Sequence, residues 1–136
     1  MAILLDTCAA LWIVGASPLS DQAMTALEEE RAAGRAVVVS PISAWEVGLL
    51  ASRGRFASPL SPQRWFERLV GLNGIRLGPL SPAMLMESSL LPGQPPRDPG
   101  DRIMIASARE LDLTLMTRDR LILAYAEAGH VRALAC

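Results

Sequence analysis

The sequence predicts an α/β fold, a three-layer α/β/α sandwich around a mostly parallel central sheet, and three observations predict it. Five short apolar runs are spread along the 136 residues. Residues 2–5 and 36–39 are continuous rather than alternating, the pattern of strands buried on both faces of a parallel sheet, and the other three are similar runs interrupted by Arg76, Thr114 and Arg132. The stretches between them carry helix-start signals, so strand and helix alternate as right-handed crossovers require.

The runs are residues 2–5, 36–39, 75–80, 113–116 and 131–134. Helix starts are marked where Ser40-Pro41, Ser61-Pro62, Ser81-Pro82 and Asp98-Pro99 each set an N-cap residue before a proline. At the first helical position proline's missing N–H costs nothing. Asp21 and Asp119 are expected to cap two further helices, and Gly34 and Gly129 stand where helices should stop. Residues 52–62 and 91–100 are rich in Gly and Pro and read as surface loops. No internal repeat appears, and residues 1–136 are expected to form one domain.

Composition narrows the function. Hydrophobic residues make up 51 % and mean hydropathy is +0.28, against disorder, yet no apolar run reaches membrane-spanning length. The apolar opening carries Asp6 in its middle and has no basic start, so it reads as core rather than an export signal, and the expected location is the cytoplasm. Cys8 and Cys136 lie in no Cys/His cluster, which leaves structural zinc and a disulfide framework unsignalled. The formal charge is −1, so binding of nucleic acid must come from local patches. All 13 basic residues are arginine.

Ligands of open α/β sheets bind beyond the carboxyl ends of the strands. Asp6 ends the first strand there, and Asp119 follows the fourth. Glu46 and Asp101 lie near the starts of helices that follow strands or their loops. Glu46 shares a helix face with Ile42, Leu49 and Leu50, and Asp101 with Met104, Ile105 and Ala108. A carboxylate in an apolar stripe loses solvation unless a cation or donors meet it. Four acids converging on one edge repel one another, and a hard divalent cation such as Mg²⁺ or Mn²⁺ is the usual relief. Such a site suits phosphodiester hydrolysis.

The segments Leu4-Leu5-Asp6-Thr7-Cys8, Ser43-Ala44-Trp45-Glu46-Val47, Arg97-Asp98-Pro99-Gly100-Asp101-Arg102 and Met116-Thr117-Arg118-Asp119 together resemble PIN-domain toxins of the VapC type, in the family's order and over essentially the whole chain. The resemblance implies a PIN-like fold, magnesium- or manganese-dependent cleavage of RNA, a small antitoxin of the VapB type that silences the enzyme, and a homodimer. It implies metal ligation by Asp6, Asp101 and Asp119, with Glu46 acting directly or through water. Thr117 corresponds to a hydroxyl that positions water or metal. The interval from Asp101 to Asp119 matches the family's third and fourth acids, which makes Asp98 the helix cap and Asp101 the ligand. Many relatives have His where Pro96 precedes Arg97.

Arg97, Arg102, Arg118 and Arg120 flank two of the acids and are candidates for RNA phosphate contacts, with Arg53 and Arg55 in a nearby loop. His130 is the one histidine, so metal-free acid/base cleavage by a histidine pair is excluded, and no role is assigned to it. Trp12, Trp45 and Trp65, with Leu11, Ile13 and Leu49, are expected to serve core packing, and the resemblance implies an antitoxin groove or a dimer face as the other use of this apolar area. Aspartyl phosphatases of the haloacid-dehalogenase kind and receiver domains also end their first strand in Asp, but they depend on a lysine that this chain lacks. A DNA-directed nuclease with the same carboxylates and a non-catalytic domain whose acids receive a partner's arginine both stay open.

Overall fold

The central strand of the sheet is the first in the chain. In the computed structural model, which describes residues 1–136, β1 (Ile3–Leu5) pairs in parallel with β2 (Val37–Val39) on one side and with β4 (Thr114–Thr117) on the other. The edges are β3 (Ile75–Leu77) and β5 (Ala133–Ala135), so the order is β3-β2-β1-β4-β5 and every pairing is parallel.

Side chains of successive strand residues leave opposite faces, and that alternation divides the core in two. Ile3, Leu5, Val37, Val39 and Met116 pack with α1 (Thr7–Val14), α2 (Asp21–Ala32) and α4 (Pro62–Gly71). Leu4, Val38 and Leu115 pack with α6 (Pro99–Glu110) and α7 (Arg120–Glu127). Between these layers α3 (Pro41–Ser52) sends Ile42 to the second cluster and Val47 to the first, while α5 (Pro82–Ser88) packs on α6. No helix is long and apolar enough to cross a membrane.

The four Ser-Pro and Asp-Pro signals each start a helix, with Ser40, Ser61, Ser81 and Asp98 accepting backbone N–H bonds in the first turn. Three expectations need correction. The cap of α2 is Ser20, whose hydroxyl accepts from the Ala23 N–H, and Asp21 is the first helical residue. The third strand stops at Leu77, since Pro79 just beyond has no N–H for a ladder, and it is partly exposed because it is the edge of the sheet with no strand beyond it. Trp45 is 50 % exposed, whereas Trp65 is core and meets Phe56 edge-on at 6.0 Å. Gly34 and Gly129 end α2 and α7 at φ 70° and 91°, a region open to glycine.

The acids owe their position to this topology. From β1 the chain moves outward through β2 to β3, then crosses to the other side of β1 to form β4. The connections leaving β1 and β4 therefore diverge, toward β2 and toward β5, and a crevice opens above the carboxyl ends of β1 and β4, where Asp6 and Asp119 lie.

Candidate metal centre

Asp6 has two structural duties. It follows β1 directly and caps α1, its Oδ1 accepting from the Thr7 N–H at 2.8 Å, while its Oδ2 accepts from the Thr117 hydroxyl at 2.6 Å. It is 6 % exposed. Burial, more than any neighbouring charge, raises its pKa above the usual aspartate value. Thr117 is fully buried, gives its proton to Asp6 and accepts from the Asp119 N–H at 3.0 Å, so one hydroxyl ties two of the acids together.

Glu46 sits in the second turn of α3, half-buried. Its Oε1 accepts from the Thr7 hydroxyl at 2.7 Å. Thr7 Oγ1 also lies 2.9 Å from Ser43 Oγ, and since its single proton goes to Glu46, Ser43 must be the donor of that second bond. Burial pushes the Glu46 carboxyl up as well, with the charges of Asp6 and Asp98 adding to the shift. The relay from Ser43 through Thr7 to Glu46 was not anticipated. Its signal was present: Ser43 precedes Glu46 by one helical turn and Thr7 adjoins Asp6.

The start of α6 contributes two carboxylates. Asp98 caps the helix, its Oδ2 accepting from the Asp101 N–H at 2.9 Å, as expected of it. It is also a neighbour of the acids: Glu46, Asp98 and Asp101 each offer an oxygen within 4.8 Å of the others. The Asp101 side chain accepts no protein hydrogen bond, and burial, followed by the charges of Asp98, Asp119, Asp6 and Glu46, pushes its pKa up to about 7. Asp119 caps α7 through Oδ1, which accepts from the N–H groups of Leu121 and Ile122 at 2.8 and 3.0 Å. None of these five carboxylates is in an ion pair.

All five line one cleft of about 570 Å³, with Leu11, Trp45, Leu49 and Leu50 as an apolar wall. Gly100 leaves room beside two of these carboxylates, since a Cβ there would stand 2.9 Å from Glu46 Oε2 and 3.1 Å from Asp98 Oδ2. An all-oxygen donor set, mutual repulsion unrelieved by arginine and a glycine that leaves room among the oxygens fit a hard divalent cation.

The candidate arginines do not all reach this cleft. Arg53 and Arg118 line it. Arg118 is held in place, 3.5 Å over the Trp12 ring, donating from Nε to the Cys136 carbonyl at 2.7 Å and from Nη2 to the Pro18 carbonyl at 3.3 Å. Arg97 and Arg102 line a second cleft on the far side of Asp98. Arg55 and Arg120 are exposed and line neither.

The family model described as PIN domain matches residues 3–128. The chain belongs to the PIN domain family. Family membership carries a general use of divalent metal, in keeping with the acidic cluster. This PIN domain is 31 % identical over 120 residues to ribonuclease VapC22 of Mycobacterium tuberculosis, across 87 % of each chain. Solved structures similar to it include VapBC2 of Rickettsia felis bound to a promoter DNA fragment (TM-score 0.68, 14 % identity, 99 % of this chain and 98 % of that one) and DNA-bound VapBC of Salmonella typhimurium (TM-score 0.67, 14 % identity, the same coverage). VapBC-1 of nontypeable Haemophilus influenzae gives a TM-score of 0.60 at 15 % identity, again over 99 % and 98 %. At such identities the likeness to solved structures establishes the fold.

Proposed function

We propose that this PIN domain is the toxin of a type II toxin–antitoxin pair, a cytoplasmic endoribonuclease that hydrolyses RNA phosphodiester bonds with Mg²⁺ or Mn²⁺ and is silenced by a small VapB-like antitoxin. The observation that carries the reading is the set of carboxylates at the switch point of the sheet, without ion-pair partners, in a chain similar to a ribonuclease.

Asp6, Asp101 and Asp119 would hold the cation, with Glu46 beside them and Asp98 added on the strength of its position. A cation held there polarises phosphoryl oxygens and acidifies water. The chain's part is to keep the oxygens oriented. Thr117 and the Thr7 N–H fix both oxygens of Asp6, each of which retains a free lone pair. Thr7 fixes Glu46 Oε1 and leaves Oε2 free, and the α7 cap occupies only Oδ1 of Asp119. Asp101, with no protein donor, is the least committed ligand. Thr117 thus acts through Asp6 and Asp119 rather than as a ligand in its own right.

The apolar wall of Leu11, Trp45, Leu49 and Leu50 facing a nest of carboxylates suits an apolar peptide segment that delivers a cationic side chain, and we assign it to the antitoxin. Exposed Leu85, Met86 and Leu90 in and after α5 suit the homodimer. The deciding experiment compares wild type with Asp6→Asn and Asp101→Asn on single-stranded RNA and DNA, with Mg²⁺, Mn²⁺ or EDTA. Cleavage is expected of RNA alone, in the wild type and with metal. Cleavage of RNA that persists in EDTA or in both variants would sink the mechanism, and equal cleavage of DNA the substrate.

A further inference from the structure

Beside the carboxylate cleft, and sharing Asp98 with it, lies a larger cleft of about 930 Å³ between the loop that precedes α6 and the exposed side of α7. Its polar character is the opposite of its neighbour's. Arg97, Arg102 and His130 line it, and Asp98 is the one acid. Arg97 is exposed and pairs with no carboxylate, whereas Arg31, Arg35 and Arg132 elsewhere in the chain do. Arg102 donates from Nε to the Pro96 carbonyl at 2.6 Å, and its two terminal nitrogens meet no protein acceptor. Leu121, 63 % exposed at the start of α7, adds an apolar surface at the rim.

The cleft is preformed. Its loop contains Pro92, Pro95 and Pro96 and is anchored by the Arg102 bond and by the Tyr125 hydroxyl, which donates to the Pro92 carbonyl at 2.5 Å. His130 lies against Tyr125 with ring centroids 4.8 Å apart, and its own carbonyl accepts from Arg109. Gly93, at φ 65°, comes so near the imidazole that a Cβ would stand 2.6 Å from Nε2. Arginines on a rigid rim beside an apolar shelf match the chemistry of a nucleic-acid strand, whose phosphates need cationic donors and whose bases need apolar or aromatic faces.

We infer that this cleft is the nucleotide subsite for the RNA strand on one side of the scissile bond, with Arg97 and Arg102 on its phosphates and Leu121 and His130 against a base. The inference rests on the ribonuclease reading and adds a direction to it: the strand leaves the carboxylates across Asp98, toward α7, and not along the apolar wall. Arg97 and Arg102 are then positioning residues for substrate, while Arg118 is largely committed to Trp12 and backbone carbonyls.

The test measures affinity for fluorescent single-stranded RNAs of two to twelve nucleotides, extended on the 5′ or the 3′ side, in the cleavage-impaired Asp101→Asn background. Wild-type cleavage kinetics and circular dichroism run in parallel. Affinity is expected to rise with extension on one side only. Arg97→Gln and Ala124→Glu, which puts a carboxylate into the cleft from an exposed helix position, should each remove that gain and raise KM for the longer RNA about tenfold. Arg97→Gln should also flatten the slope of log affinity against log salt by about 0.7, one phosphate's share on a single strand, and Arg97→Lys should restore the slope. A length gain that survives both substitutions overturns the inference, and so does a salt slope unchanged in Arg97→Gln. Cleavage of RNA with no dependence on the cleft would refute the subsite alone, whereas one-sided RNA binding that depends on the cleft but comes without cleavage in the wild type would refute the ribonuclease reading and leave only a site for an RNA strand.

Discussion

Asp101→Asn should make the metal-free protein more stable while abolishing its activity. The ordinary aspartate value of 3.8 is pushed up to about 7 at this position, by burial first and then by four neighbouring carboxylates. A group whose pKa is raised by folding contributes fully below its unfolded value and loses that contribution as the pH rises through the folded one. Without metal, wild type is therefore expected to lose stability between about pH 4 and pH 7, and Asp6 and Glu46, shifted the same way, add to the loss. The interval is worth about 4 kcal/mol as an upper bound, at 1.36 kcal/mol per tenfold step. Asp101 is only half-buried, and screening by solvent and counter-ions reduces this to about 2 kcal/mol. Removing its charge from the first turn of α6 forfeits about 0.3–1 kcal/mol of helix-dipole stabilisation. The net gain is about 1 kcal/mol, or about 3–5 °C in Tm for a domain of this size. Thermal melts at pH 8 in EDTA measure it. Adding Mg²⁺ should reverse the order, because at ten times its Kd a ligand adds about 1.4 kcal/mol to wild type and far less to the variant. An Asp101→Asn protein that melts below wild type in EDTA at pH 8 would refute the reasoning, since the carboxylate would then be stabilising the fold rather than straining it.

Two further substitutions separate the geometry of the centre from its charge. Gly100→Ala should leave Tm nearly unchanged, because the helix preference of alanine, up to about 1 kcal/mol, is offset as its Cβ crowds Glu46 Oε2 and the capping Asp98 Oδ2. Mn²⁺ affinity, followed by calorimetry, is expected to fall, and an unchanged affinity would mean that these oxygens do not meet at a cation. Thr117→Val keeps the shape of the buried side chain but removes the proton donor of Asp6 and the acceptor of the Asp119 N–H. Metal affinity should drop about 10- to 100-fold, the usual effect of losing a hydrogen bond behind a ligand. A drop in Tm with no change in metal affinity would show that Thr117 serves packing only.

What the chain determined by itself was local. Ser-Pro and Asp-Pro pairs started their helices, because an N-cap oxygen and a proline ring act within a few residues. The short apolar runs held the strands, and the acids predicted from strand ends and interrupted apolar faces line one cleft. Tertiary structure decided what depends on neighbours distant in sequence. The edge position of β3 follows from strand order, and the exposure of Trp45 from its place on the rim of the acid cleft. Glu30 is 1 % exposed with Arg35 on its carboxylate, although it sits in a run of three glutamates indistinguishable by composition. Asp98 was legible as a cap but not as a neighbour of Glu46, because capping is read from spacing within one helix and convergence from the packing of α3 against α6. The division of the arginines has the same origin. Arg102 and Arg118 each adjoin a predicted acid in sequence, and only the course of the loop before α6 and the Trp12 ring beneath Arg118 set one in an open cleft and fastened the other down.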